Sequence, residues 1–113
     1  MNRGVVMHLS EGPADKHRAV LRNALNLLPG LPAGTPVEVV VHGEALSLAL
    51  PGAPAADALA EAQDADVTLV VCRNSMRSSH VTDDDLVPGA VVVPSGVGHL
   101  AARQFDGWAY LRP

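Results

Sequence analysis

Four short runs of valine and leucine recur along the chain with helix-length segments between them, and this arrangement constrains the fold more than any other feature. The runs are Val5 to Leu9, Val37 to Val41, Val67 to Cys72 and Ala90 to Val93, with a weaker fifth from Trp108 to Leu111. The first four are continuous. Alternation marks a strand with one wet face, whereas a continuous β-branched run suits a strand covered on both faces, as in a parallel sheet. Between the runs, Ala14 to Leu28 carries Val20, Leu21, Ala24, Leu25, Leu27 and Leu28 as a helical stripe, with Asp15 in its first turn and Pro29-Gly30 as its stop. Ala55 to Ala62 is rich in the best helix former, and a further helix is predicted from Val97 to Phe105, ended by Gly107. Strand starts near residues 4, 37 and 67 match the spacing of a βαβ unit. The order β-α-β-α-β-α-β-α-β predicts an α/β sandwich with a mostly parallel sheet of about five strands.

Composition sets the size of that core and removes several function classes. A chain of 113 residues buries roughly two-thirds of its unfolded surface, enough for a single domain over residues 1–113. The proline-rich stretches Pro29 to Pro36 and Pro51 to Pro54 are therefore loops inside it. A hydrophobic content of 48% excludes a disordered chain. The single cysteine excludes an internal disulfide and metal centres built from several thiolates. A net charge of −4, with one Phe, one Trp and one Tyr, is the wrong pattern for nucleic-acid binding. The longest apolar runs fall far short of the ~20 residues that span a bilayer. The start lacks the apolar stretch of a signal peptide, so with its lone thiol the chain is expected in the reducing cytoplasm.

Ligands of open α/β sheets bind at the carboxyl ends of the strands, and here those ends hold most of the reactive side chains. They read His8-Leu9-Ser10, His42-Gly43-Glu44, Cys72-Arg73-Asn74-Ser75 and Pro94-Ser95-Gly96-Val97-Gly98-His99. Cys72 is the sharpest candidate, placed where the chain leaves the sheet into a helical turn, with Arg73 or Arg77 able to add positive charge. A free cysteine also serves as a small core hydrophobe. His42 on the neighbouring strand end is the candidate base for it, making Cys72 and His42 the candidate catalytic pair. Asn74 and Ser75 are candidate ligand-binding residues beside the sulfur. Ser95 and Gly96 open a helix where backbone N–H groups could hold an anion, or where Ser95 is simply a cap. His8, His42, His80 and His99 could converge with Cys72 on a metal, but no pair has a tight ligand spacing. No metal and no cofactor are therefore expected. His17 is expected to face solvent, and Thr82 is expected to cap the acids Asp83 to Asp85. The clustered Phe105, Trp108 and Tyr110 close the core or form a subunit interface.

These residues also carry a resemblance. Cys72-Arg73-Asn74-Ser75-Met76 resembles the C-x-N-[ST]-[ML] signature of small DsrE/DsrF-like proteins. Val40-Val41-His42-Gly43, the stretch Val92 to Leu100, Arg103-Gln104 and Gly107 to Pro113 are similar to the same single-domain branch, so the likeness covers nearly the whole chain. It implies a three-layer flavodoxin-like domain assembled as a trimer or hexamer. It also implies a sulfur relay in which Cys72 carries a persulfide between donor and acceptor proteins. The competing reading is an oligomeric binding module, without covalent chemistry, that holds a small anionic or nucleotide ligand around His42, Cys72 and Ser95. With no second thiol in the chain, any persulfide sulfur must leave to another molecule.

Overall fold

The computed structural model describes residues 3–113. Among them, five strands form one sheet: β1 (Val5–Leu9), β2 (Val37–Val41), β3 (Val67–Cys72), β4 (Val91–Val93) and β5 (Ala109–Leu111). Their order across the sheet is β4-β3-β2-β1-β5, and every pairing is parallel. The α-helices are α1 (Ala14–Leu27), α2 (Ala56–Asp64), α3 (Arg73–Ser78) and α4 (Gly96–Phe105), so strand and helix alternate as the sequence predicts. A seven-residue 3₁₀ segment, Gly43–Ala49, follows β2. No helix among the described residues is long and apolar enough to cross a membrane.

The two faces of the sheet are covered unequally. On one, Val5, Met7, Leu9, Val37, Val39, Val41, Val67, Leu69 and Val71 pack against α1, α2 and the 3₁₀ segment through Leu21, Ala24, Leu48, Leu59 and Ala62. Leu21, Leu48 and Leu69 are fully buried there, where truncation to alanine typically costs about 2–5 kcal/mol. On the other, a smaller cluster joins Val6, Val40 and Val70 to Leu100 and Trp108. There α4 lies across β1, β2, β3 and β5.

A carboxylate fixes α4 to that thin face. Glu38 is the second residue of β2 and is only 8% exposed. Its Oε1 accepts from His99 Nε2 at 2.8 Å and Arg103 Nε at 3.1 Å, and its Oε2 accepts from Arg103 Nη2 at 2.8 Å. The Arg103 guanidinium also lies 4.1 Å from the centre of the Trp108 ring. Burial works against the Glu38 charge, but the hydrogen bonds from Arg103 and His99 prevail and hold its pKa below the usual carboxylate range.

Two local expectations are corrected. The continuous run at β4 predicts burial on both faces, yet Val91 is 48% exposed, because β4 is a sheet edge. His17 was expected to face solvent and is buried. Its Nε2 lies 2.6 Å from the carbonyl oxygen of Glu11 in the preceding loop. That partner satisfies the ring N–H, so the imidazole can sit on the inner side of α1.

Candidate functional site

The carboxyl ends of β1, β2, β3 and β5 meet on the thinly covered face. Pairing of β2 with β3 ends at Val41 opposite Val71, so His42 and Cys72 are the next residues of adjacent parallel strands. The first turn of α4 is laid over both. A β-carbon on Gly96 would lie 3.2 Å from Cys72 Cβ and 3.3 Å from His42 Cβ, which only glycine avoids without displacing a neighbour.

Cys72 is 5% exposed and ends β3, where α3 begins. Burial pushes its thiol pKa up. The Ser75 hydroxyl and the backbone N–H groups of Gly96, Ser75 and Asn74 act as donors to the sulfur and outweigh that effect, leaving the thiol more acidic than usual. The hydroxyl of Ser75 in turn accepts from the Gly43 N–H at 2.8 Å, so one side chain links the β2 and β3 ends. Asn74 is exposed, and a groove of about 230 Å³ runs along Gly43, Asn74, Ser75, Ser78 and Ser79. Ser95 caps α4, its Oγ accepting from the Gly98 N–H at 3.1 Å.

Beside the sulfur stands a hydrogen-bonded row that the sequence reading did not assemble. His42 Nε2 lies 2.6 Å from His8 Nε2, with the rings stacked at a centroid distance of 4.9 Å. His8 Nδ1 lies 2.7 Å from the Tyr110 hydroxyl and 3.4 Å from Arg112 Nη1. Arg112 Nη2 also donates to Ser10 Oγ at 3.1 Å and lies 3.5 Å from Glu11 Oε2. Burial lowers the pKa of His8, helped by the His42 and Arg112 charges, and burial with Arg112 lowers that of His42. Both imidazoles are therefore neutral at pH 7. The missed partners come from β5. Val6 pairs with Tyr110 and Met7 with Leu111, so Tyr110 and Arg112 project to the face that carries His8.

Other expected contributors lie elsewhere. Arg73 pairs with Asp83 instead of the Cys72 sulfur, and Arg77 is exposed. His80 is exposed in a left-handed turn with φ 56°, and His99 is held by Glu38. No group of three or more His, Cys, Asp or Glu side chains among the described residues is arranged to hold a metal. Asp85 accepts from both the N–H and the hydroxyl of Thr82, at 2.8 and 3.0 Å, so this acidic stretch closes its own turn. The three aromatics divide: Trp108 is buried at 8% exposure, whereas Phe105 is 90% exposed and Tyr110 bonds to His8.

An all-parallel five-stranded sheet with helices between its strands, and a nearly buried cysteine at the end of an inner strand, places the chain in the class of small open-sheet α/β proteins. Within it, this chain belongs to the DsrE/DsrF-like family, which matches residues 5–113. It is similar to a protein of unknown function from Methanobacterium thermoautotrophicum, at 32% identity over 98% of this chain and 99% of that one, with a TM-score of 0.91. No curated protein matches. Membership in the family points in general terms to sulfur relay.

Proposed function

We propose that this protein relays sulfur through a persulfide on Cys72. The observation that carries the reading is the set of donors around the sulfur: the Ser75 hydroxyl and three backbone N–H groups favour the thiolate, which is the nucleophilic form. In the loading step the Cys72 thiolate attacks the outer sulfur of a donor persulfide. A Cys72–sulfur bond forms, the donor's S–S bond breaks, and the donor leaves as a thiolate, with the transferred sulfur unchanged in oxidation state. In unloading, an acceptor thiolate attacks the same outer sulfur and Cys72 departs as thiolate. The ~2.05 Å S–S bond carries the transferable sulfur outward from a thiol that is only 5% exposed. His42 is the neighbouring candidate catalytic group, and Asn74, Ser75, Ser95 and Gly96 form the wall that meets the donor.

The same reading includes a cytoplasmic location, protein donors and acceptors, and a trimer or hexamer as the working form. The exposed apolar side chains Val97 and Phe105 of α4 support self-association. The test is mass spectrometry after incubation with glutathione persulfide. Wild type gains the mass of one sulfur atom and Cys72→Ser gains nothing; a wild type without the adduct overturns the proposal.

The burial of Cys72 favours a second reading, a module that binds a small anionic ligand at the strand ends without covalent chemistry. It requires that Cys72→Ser retain ligand-induced thermal stabilisation while wild type forms no adduct.

A further inference from the structure

We infer that Glu38 is a positioning residue for the chemistry of Cys72: its grip on His99 and Arg103 holds the first turn of α4 closed over the cysteine. Of the residues of α4, only Gly96 and Leu100 are buried. Leu100 is thus the one side chain that sinks the helix into the small apolar cluster of the thin face. The strand that leads into α4 is β4, three residues long and at the sheet edge. The remaining anchor is polar. Glu38 accepts from His99 at 2.8 Å and, through both carboxylate oxygens, from Arg103 at 3.1 and 2.8 Å. A forked pair of this kind fixes direction as well as distance, because the guanidinium is planar and its donors are set rigidly in that plane.

The anchor and the cysteine lie at opposite ends of one lever. Side chains alternate along a strand, so Glu38 and Val40 share the face of β2 that α4 covers, and His42 follows at the carboxyl end. From Glu38 to His42 the strand spans about 13 Å. From Arg103 back to Gly96 the helix spans about 10 Å. A helix gripped at Glu38 therefore reaches the strand ends with its first turn. Gly96 lies there: its missing β-carbon would stand 3.2 Å from Cys72 Cβ, 3.3 Å from His42 Cβ and 3.6 Å from Val40 Cγ1. The closed turn does two things to the thiol. It supplies the Gly96 N–H, one of the donors that leave Cys72 more acidic than usual. It also covers the residue, which is 5% exposed. A helix released at Glu38 loses both effects, so the thiol becomes less acidic and easier to reach. The part Glu38 plays in transfer rests on the sulfur-relay reading; its hold on the thiol does not.

Two readouts on the single thiol test this without any persulfide. Ultraviolet absorbance of the thiolate across pH gives the acidity of Cys72, and the rate of iodoacetamide alkylation above that midpoint gives its access. Glu38→Gln is expected to move the midpoint upward and to speed alkylation by about tenfold, as a local opening of α4 becomes more populated. Arg103→Gln breaks the same grip from the helix side; it is expected to act alike, and it carries the test if Glu38→Gln does not fold. Leu21→Ala lowers stability in the core under α1 without touching α4, and it is expected to leave the midpoint unchanged. Gly96→Ala already displaces the turn, so adding Glu38→Gln to it is expected to move the midpoint less than Glu38→Gln does alone. A wild-type midpoint and alkylation rate in Glu38→Gln and Arg103→Gln overturn the inference. So does a Leu21→Ala midpoint that shifts as far as that of Glu38→Gln, or full additivity with Gly96→Ala. A wild type that takes up no sulfur from glutathione persulfide but shows the Glu38-dependent midpoint overturns the relay reading and supports the positioning role.

Discussion

Gly96 stands so close to Cys72 that the β-carbon it lacks would sit 3.2 Å from the β-carbon of the cysteine. The first turn of α4 is thus part of the wall around the sulfur, and its N–H is one of the donors that lower the thiol pKa. Gly96→Ala places a methyl against Cys72, His42 and Val40 at once. The backbone of α4 must lift or the strand ends must spread, an overpacking cost of about 1–3 kcal/mol. Urea denaturation is expected to show that loss, and alkylation of Cys72 to require a higher pH because the Gly96 N–H moves away. An alanine variant with wild-type stability and alkylation would show that the turn is not packed on the sulfur.

Ser75 works in two directions, donating to the Cys72 sulfur and accepting from Gly43. Ser75→Ala removes the side-chain donor and leaves burial, which raises the thiol pKa, less opposed. Alkylation at pH 7 is expected to slow several-fold. Stability falls by only about 1 kcal/mol, because water replaces Ser75 at the exposed Gly43 N–H. A larger stability loss with an unchanged thiol would mean that Ser75 ties strands together and does nothing for the sulfur.

Glu38 makes stability depend on pH in a definite direction. Its folded-state pKa lies below the unfolded value. Its contribution is therefore fully present above the ordinary carboxylate pKa and is lost as pH falls through the depressed folded value. Glu38→Gln leaves His99 and Arg103 facing a neutral amide in a site where the carboxylate side chain is 11% exposed. A loss of about 3 kcal/mol is expected at pH 7. Denaturation midpoints of variant and wild type should converge as pH falls below the ordinary carboxylate range; a gap constant across pH would mean that packing, and not ionisation, sets the effect.

The sheet was legible because Val5 to Leu9, Val37 to Val41 and Val67 to Cys72 are continuous apolar runs at βαβ spacing, a local pattern that the fold enforces strand by strand. The position of Cys72 at a strand end was legible for the same reason. The strand order was not, since β5 pairs with β1 across almost the full length of the chain. For that reason Tyr110 and Arg112 were not placed beside His8. The burial of His17 depends on one carbonyl oxygen, a contact without a sequence signature. Glu38 did leave a signal: a single carboxylate inside Val37-Glu38-Val39-Val40-Val41 is costly in a covered strand unless cations reach it, and His99 and Arg103 lie one helical turn apart on α4.

Phe105 is the last residue of α4 and is 90% exposed, while Val97 at the other end of that helix is 59% exposed. Both belong to the helix that covers the thin face of the sheet, so a second copy docking there would also bury α4 against the Cys72 wall. Sedimentation velocity at micromolar concentration is expected to show a trimer or hexamer for wild type. Phe105→Asp is expected to shift the distribution toward monomer, because a desolvated carboxylate in an apolar contact costs several kcal/mol. Its thermal unfolding at low concentration should match that of wild type, since the ring contributes nothing to the monomer's core. A wild type that is monomeric, or a Phe105→Asp variant that assembles as well as wild type, removes α4 as the interface.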